Sequence, residues 1–150
     1  GGPRVVIHPS AAVATKQWPA ERFALVADTL HRRYGADVHF LGSSTERARV
    51  DQILSLATER HTAHLGLPLP VVAATIAAGD VFIGNDSGLS HIAAAVGTTS
   101  VLLEIPWAEH AFDAVTGGPG AQLALYHTER FLAWALTAPA CATTASRAPR

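Results

Sequence analysis

The chain has 150 residues, 49% of them apolar and 15% charged, with a formal net charge of −1 at pH 7. This is the length of one domain, and a domain of this length buries about two thirds of the surface that its unfolded chain exposes. We therefore expect it to fold without a structural metal or a disulfide. The basic residues are scattered among acidic ones and do not form the basic surface stripe that is typical of nucleic-acid-binding proteins. No apolar run approaches the roughly 18 residues that a membrane-spanning helix needs. The single cysteine, Cys141, excludes an internal disulfide. We expect a cytoplasmic protein with a small-molecule ligand.

Apolar runs and helical patterns alternate along the chain, which predicts βα units and an α/β fold: a Rossmann-like parallel sheet with helices on both faces. The predicted elements, in chain order, are a strand at 5–8, a helix from Pro19 to Gly35, a strand at 38–41, a helix after Gly42-Ser43-Ser44-Thr45, a short strand near His64, an apolar helix at 71–78 buried on most sides, a strand at 81–84, a helix from Ser87 to Gly97, strands at 100–103 and 123–126, and a helix at 129–136.

The domain is expected to span residues 1–137, and residues 138–150, rich in Ala, Thr and Pro, are expected to form a disordered tail. The chain has no Met and begins Gly1-Gly2-Pro3, which indicates a piece of a longer protein.

Ligands of open parallel sheets bind outside the carboxyl ends of the strands. Three turns are expected there, around Lys16, at 42–46 and at 85–88. In the last of these, the helix that begins at Ser87 aims free backbone N–H groups and its positive dipole end beyond the strand, an arrangement that suits a phosphate. Gly88 would allow close approach, Ser87 offers a hydroxyl, and Asp86 can accept from ligand hydroxyls. Alternatively, Asp86 or Ser87 merely caps the helix.

Three further side chains have two interpretations each. His91 shares a helix face with Ser87 and either donates to ligand oxygens or is a partly solvated helix residue. Lys16 either places a positive charge on a diphosphate or is a solvated loop lysine. Glu46 completes a capping box, Ser43-x-x-Glu46, which is enough to explain it, and a contact with ribose hydroxyls is the second interpretation.

Other combinations of residues are weaker. His61-x-x-His64 has metal-like spacing without a third ligand, as does His110 with Asp113, and both are interpreted as surface pairs. No metal and no cofactor are predicted. The glycine fingerprints of dinucleotide and P-loop proteins and the G-x-S-x-G elbow of α/β-hydrolases do not occur.

Taken together, His8-Pro9-Ser10, Lys16-Gln17-Trp18-Pro19, Gly42 with Glu46, and the run from Asn85 to Ala95 resemble the C-terminal domain of glycosyltransferase family 9, the heptosyltransferases. The resemblance covers roughly residues 4–126. It implies one half of a GT-B fold that binds a nucleoside-diphosphate sugar such as ADP-heptose, without a metal. In this family the sugar is transferred to a lipopolysaccharide-type acceptor.

Carried over by position, the resemblance implies that Lys16 neutralises the diphosphate, that Ser87 and Gly88 bind it, that Asp86 touches the sugar and that Glu46 reaches the ribose. Ser10 and His91 are counted with these donor-binding residues. The acceptor-activating carboxylate would lie on an N-terminal domain that this chain lacks, so the half should bind donor without transferring sugar. The whole protein would work in the cytoplasm, as a peripheral protein at the inner face of the cytoplasmic membrane.

The sequence departs from the family pattern at two places. Positions 11–14, where relatives often carry hydroxyl residues, are Ala, Ala, Val and Ala, which predicts reduced phosphate affinity. The fifth strand continues as Glu104-Ile105-Pro106-Trp107, so that the base or sugar preference would differ. A non-catalytic ligand-binding or assembly module of the same fold is therefore the alternative function.

Overall fold

The computed structural model describes residues 1–12, 17–85 and 87–100, and the single positions 130, 133 and 137. The elements in chain order are β1 (Arg4–His8), α1 (Ala20–Tyr34), β2 (Asp37–Gly42), a 3-10 turn (Ser44–Glu46), α2 (Arg47–Leu56), β3 (Thr62–Leu65), α3 (Leu69–Ala77), β4 (Val81–Gly84) and α4 (Gly88–Ala95).

The described strands form one parallel sheet in the order β3-β2-β1-β4. Thr99 adds a parallel bridge to Val81, one residue before the predicted fifth strand. Residues 101–103 of that strand, the sixth strand and the tail at 138–150 lie outside the described residues. Arg130 and Ala133 are helical, as the predicted closing helix requires. The predicted α/β class and the order of its first elements are confirmed.

Alternating side chains of the strands build a core on each face of the sheet, because successive residues of a strand point to opposite faces. On one face the sheet packs against α1 and α2 through Val5, Ile7, Val38, Phe40, Phe23, Leu30, Val50 and Ile53. On the other face it packs against α3 and α4 through Val6, Leu41, Phe82, Ile76 and Ala93. Helices therefore cover both faces, as predicted.

The boundaries of α1 differ slightly from the prediction. Pro19 occupies the N-cap position in extended geometry and Ala20 is the first helical residue, although Pro19 was expected to begin the helix. Gly35 ends α1 as predicted, with a φ of 64° in the left-handed region that glycine adopts without strain.

The prediction that α3 is buried on most sides is wrong for the described part of the chain. Within the predicted range 71–78, Val71 is 46% exposed, Ala74, Ala77 and Ala78 are also exposed, and Ile76 is the one buried residue. An apolar run without helical periodicity does not tell which sides are covered, and here only the sheet and α4 pack against this helix within the described ranges. None of the described helices is long and apolar enough to cross a membrane.

The interpretation of His61 and His64 as a surface pair is also wrong. The side chain of His61 is fully buried and its Nε2 donates to Oδ1 of Asp28 at 2.9 Å. His64 instead pairs with His39 across β2 and β3, with 2.9 Å between Nε2 and Nδ1. His61 precedes β3 and contacts Asp28 of α1, whereas His64 lies within β3 and stacks on His39 of β2.

Asp28 ties α1 to the loop before β3. Its carboxylate accepts from the backbone N–H and the hydroxyl of Thr58 at 2.8 and 2.7 Å, from the N–H of Glu59 at 3.1 Å, and from His61. Burial pushes the pKa of Asp28 upward, but these hydrogen bonds from Thr58, His61 and Glu59 together outweigh it and hold the pKa well below its usual range.

We predict that Asp28→Asn lowers the free energy of unfolding at pH 7 by about 2 kcal/mol, because charge-assisted bonds to a buried carboxylate are lost. A carboxylate with a depressed folded pKa stabilises fully above its unfolded pKa of about 4 and loses that contribution as the pH falls toward the folded pKa. The gap between variant and parent should therefore narrow between about pH 4 and pH 2.5.

Urea unfolding at several pH values measures this gap. Asp51→Asn, on the exposed side of α2, is the matched control and should change stability little at any pH. An equal gap for Asp28→Asn at pH 7 and pH 2.5 would contradict the assignment.

Candidate functional site

The candidate site lies at the carboxyl edge of the sheet. The parallel strands β1, β2 and β4 end there at His8, Gly42 and Gly84, and His8 is paired in register with Gly84. The turns that follow these strands bring the 3-10 turn and the first residues of α4 together above His8. Parallel pairing thus makes one site from segments that are far apart in the sequence.

An open pocket of about 470 Å³ occupies this edge. Its lining consists of His8, Ala11, Ala12, Glu46, Leu69, Ser87, Gly88, Leu89 and Ile92. Three of the predicted site residues, Glu46, Ser87 and Gly88, are therefore brought together. One wall is polar and the other, formed by α3 and α4, is apolar.

The other predicted site residues are not brought together in the same way. Lys16 and Asp86 lie outside the described residues. Ser10 is 2% exposed and does not line the pocket, and its hydroxyl has no hydrogen-bond partner among the described residues. His91 is exposed on α4, away from the pocket lining.

Glu46 has a structural task as well as a place in the pocket. Its Oε2 accepts from the N–H of Ser43 at 2.6 Å and completes the predicted capping box. Its Oε1 lies 3.6 Å from Nε2 of His8. Burial raises the pKa of Glu46, but the hydrogen bonds from Ser43 and the proximity of His8 outweigh burial and lower the pKa overall. Glu46 is therefore an ionised carboxylate facing an imidazole.

His8 is at the centre of the polar wall, and the sequence analysis did not count it as a site residue. It is 6% exposed, and its Nδ1 lies 3.2 Å from Oγ of Ser87 while its Nε2 faces Glu46. Burial lowers the pKa of His8 and the charge of Glu46 only partly opposes that shift. The signal in the sequence was a polar residue at the end of an otherwise buried strand.

The side chain of Ser87 does not cap α4, contrary to the interpretation that Ser87 has a capping role alone. Ser87 holds the N-cap position with extended backbone, but its hydroxyl makes no capping hydrogen bond and turns to His8 instead. Within the described part of α4, its backbone carbonyl accepts from the N–H of Ser90 at 3.1 Å. The first N–H groups of a helix have no intrahelical acceptor, so this end of α4 offers donors to the pocket.

Gly88 begins α4, and no internal contact explains why it is glycine. A Cβ added there would meet no atom of the described residues within 4 Å, and the φ of Gly88 does not lie in the left-handed region. Glycine in a helix destabilises it by about 1 kcal/mol relative to alanine. The open space over Gly88 is thus available to a ligand that approaches the backbone.

Asn85 is a second residue that the sequence analysis did not count. It is buried, its Nδ2 donates to the carbonyl of Pro9 at 2.9 Å, and its Oδ1 accepts from the N–H of Trp18 at 3.0 Å. Pro9 and Trp18 lie on either side of Lys16 in the sequence. One amide therefore joins the described residues before Lys16 to those after it.

The described residues contain no group of three His, Cys, Asp or Glu side chains that could hold a metal ion. What they bring together is one carboxylate, one imidazole, one hydroxyl and a helix N-terminus. Such a set suits an anion that also carries hydroxyl groups.

Comparisons with known proteins identify the family and the fold. The sequence profile of glycosyltransferase family 9 (heptosyltransferase) matches residues 1–103. A solved family 9 glycosyl transferase from Veillonella parvula DSM 2008 is 30% identical, with a TM-score of 0.62, over 65% of this chain and 28% of that one. No curated protein sequence matches.

Two E. coli structures have the same fold at lower identity. ADP-heptose LPS heptosyltransferase II is 22% identical, with a TM-score of 0.70, over 88% of this chain and 47% of that one. Heptosyltransferase WaaC with ADP is 19% identical, with a TM-score of 0.62, over 90% of this chain and 46% of that one. The chain thus spans less than half of each of these structures, and the predicted Rossmann-like half of a GT-B fold is confirmed. On the profile match over residues 1–103, the chain belongs to glycosyltransferase family 9.

Proposed function

We propose that this chain is the donor-binding half of a metal-independent glycosyltransferase and binds a nucleoside-diphosphate sugar of the ADP-heptose kind. The observation that carries the proposal is the pocket in which the N-terminus of α4, with Ser87 and Gly88, faces Glu46 across the carboxyl edge of the sheet. The E. coli relatives are named for ADP-heptose and for a complex with ADP, which supports this ligand class.

Each part of the pocket has a task in the proposal. The diphosphate would lie on the N-terminus of α4, where Gly88 leaves room for it. As in the sequence analysis, Lys16 is proposed to neutralise the diphosphate and Asp86 to contact the sugar. Glu46 is proposed to accept from the ribose through Oε1, because its Oε2 is already used by Ser43.

Transfer itself is proposed to need an N-terminal domain with an acceptor-activating carboxylate, and the acceptor to be a lipopolysaccharide-type or other glycan. The full protein would then act in the cytoplasm at the inner face of the membrane. The alternative, a non-catalytic module of the same fold, is favoured by one observation. Ala11 and Ala12 line the pocket at positions where hydroxyl residues would help to hold phosphate.

We predict that Gly88→Val weakens ADP-sugar binding at least tenfold, and Gly88→Ala by less, because the added carbons fill the approach to the backbone. Neither variant should lose stability, since a Cβ at this position meets open space among the described residues. Isothermal titration calorimetry with ADP-glucose measures the affinity. Ala95→Val, on the exposed end of α4, adds the same kind of side chain outside the pocket and should bind as the parent does.

We also predict that Lys16→Ala weakens binding of the ADP-sugar about tenfold to a hundredfold, since a charge-assisted contact with the diphosphate is worth about 1.5 to 3 kcal/mol. Lys16→Arg, which keeps the positive charge, should retain most of the affinity. Equal affinity in the parent and in Lys16→Ala would remove the proposed role of this lysine.

Binding is predicted not to require a divalent metal, because Lys16 and the N-terminus of α4 supply the positive charge that a metal gives in other transferases. ADP-glucose is titrated once in about 5 mM Mg²⁺ and once in EDTA, at the same ionic strength. The two titrations should give the same dissociation constant. Binding that disappears in EDTA and returns with Mg²⁺ would contradict metal independence.

A further inference from the structure

We propose that His8 is a positioning residue for the donor diphosphate: it takes up one proton when the diphosphate binds, and so turns the Ser87 hydroxyl toward the phosphate. The inference rests on the proposed function and specifies how the same pocket adapts to its ligand. Three observations carry it: the burial of His8, the contact of its Nδ1 with Ser87 Oγ, and the position of Glu46 at its Nε2.

The surroundings of His8 fix its tautomer in the free protein. Glu46 is ionised and can only accept, so the imidazole proton belongs on Nε2, which faces the carboxylate. Nδ1 then carries a lone pair. The atom next to it at 3.2 Å is Oγ of Ser87, which must donate its hydrogen to Nδ1.

This arrangement conflicts with phosphate binding at Ser87. A hydroxyl whose hydrogen points to His8 presents only lone pairs to a phosphate oxygen, and lone pairs repel an anion. If the hydroxyl rotated toward the phosphate, the buried Nδ1 of His8 would be left without a partner, which is unfavourable.

Protonation of His8 removes the conflict. A proton taken from solvent onto Nδ1 makes that nitrogen a donor to Ser87 Oγ, and the hydroxyl hydrogen is released to the phosphate. No covalent bond is made or broken apart from the new N–H bond. The resulting imidazolium is paired with Glu46 through Nε2 and adds positive charge beside the bound diphosphate.

The charged groups around His8 are few among the described residues. From the 3-10 turn after β2 it faces Glu46, from the turn after β4 it faces the uncharged Ser87, and its partner in β4 is Gly84. His91 on α4 is exposed and outside the pocket lining. Lys16 and Asp86, the other charged residues of the predicted site, lie outside the described residues.

The direction of the pH dependence follows from linkage. Burial holds the pKa of His8 below its ordinary value in the free protein, so His8 is neutral at pH 7. An anion that binds the protonated form raises this pKa. Affinity is then greatest below the pKa of His8 in the free protein and falls until the pH has passed its pKa in the complex. The total loss of affinity is tenfold for each unit by which binding raises this pKa.

Isothermal titration calorimetry of the full chain with ADP-glucose tests the proposal. Both ends of this diphosphate are esterified, so it lacks the terminal phosphate ionisation with a pKa of about 6 that would mask the effect. Titrations at pH 7 in PIPES, HEPES and imidazole, which differ in ionisation enthalpy, give the number of protons taken up. We expect more than half a proton per complex, and about a tenfold rise in the dissociation constant from pH 6 to pH 8.

Three variants assign the proton. His8→Asn retains an amide near the position of Nδ1 but does not titrate, so proton uptake should vanish and the dissociation constant should no longer depend on pH. Ser87→Ala keeps His8 beside Glu46 and removes the hydroxyl, so uptake should fall by at least half. His91→Asn removes the histidine of α4 and tests whether the proton goes there instead; if His8 takes up the proton, the number of protons per complex should equal that of the parent.

The outcomes separate the inference from the function on which it rests. Binding by the parent without proton uptake overturns the role of His8 and leaves the donor-binding function intact. Uptake retained in His8→Asn, or lost in His91→Asn, also overturns it. Absence of ADP-glucose binding at every pH overturns both. If His8→Asn does not fold, as circular dichroism will show, full uptake in Ser87→Ala overturns the inference by itself.

Discussion

Parallel pairing of β1 with β2 on one side and β4 on the other is the constraint on which the site depends. The registers place Ile7 beside Phe40 and beside Ile83, so the three strands end within one residue or two of each other. Each strand is then followed by a turn at the same edge. Side chains as distant in sequence as His8, Glu46 and Ser87 meet there without a long connecting loop.

At this edge His8 and Asn85 are buried and Glu46 and Ser87 are partly buried, and the hydrogen bonds of these groups determine how they can interact with a ligand. Asn85 uses both ends of its amide, on the carbonyl of Pro9 and the N–H of Trp18, and Glu46 uses one oxygen on the N–H of Ser43. His8 uses one nitrogen on Ser87. Because a buried polar atom without a partner is costly, a ligand can enter only if these bonds are kept or exchanged for others.

The sequence predicted the parts of the fold that depend on local patterns. The four described strands, the glycine that ends α1 and the capping box of Glu46 follow from apolar runs, turn residues and cap spacing, and all are observed. Glu46, Ser87 and Gly88 were found because they occupy turns after strands. Their convergence around one pocket follows from parallel topology alone.

What the sequence did not predict depends on contacts between distant segments. The one signal for His8, a polar residue at the end of a buried strand, does not by itself identify a site residue, because its role comes from contacts with Glu46 and Ser87, 38 and 79 positions away. His61 was interpreted as exposed because the residues next to it in the sequence do not indicate that it contacts the carboxylate of Asp28 in α1. The exposure of Val71 was missed for the same reason, since an apolar run does not specify which residues will pack against it.

The two walls of the pocket differ in chemistry, and this difference bears on how selective the site can be. His8, Glu46 and Ser87 present directional groups of the kind that suits a charged and hydroxylated ligand, whereas Leu69, Leu89 and Ile92 present apolar surface with no directional preference. An apolar wall distinguishes ligands that differ by one methylene only weakly, but a site of hydrogen-bonding groups strongly rejects a ligand that leaves them unpaired. On the proposed function, discrimination should therefore be sharp at the diphosphate and ribose, and weak for any part of the ligand that rests on the apolar side chains of Leu69, Leu89 and Ile92.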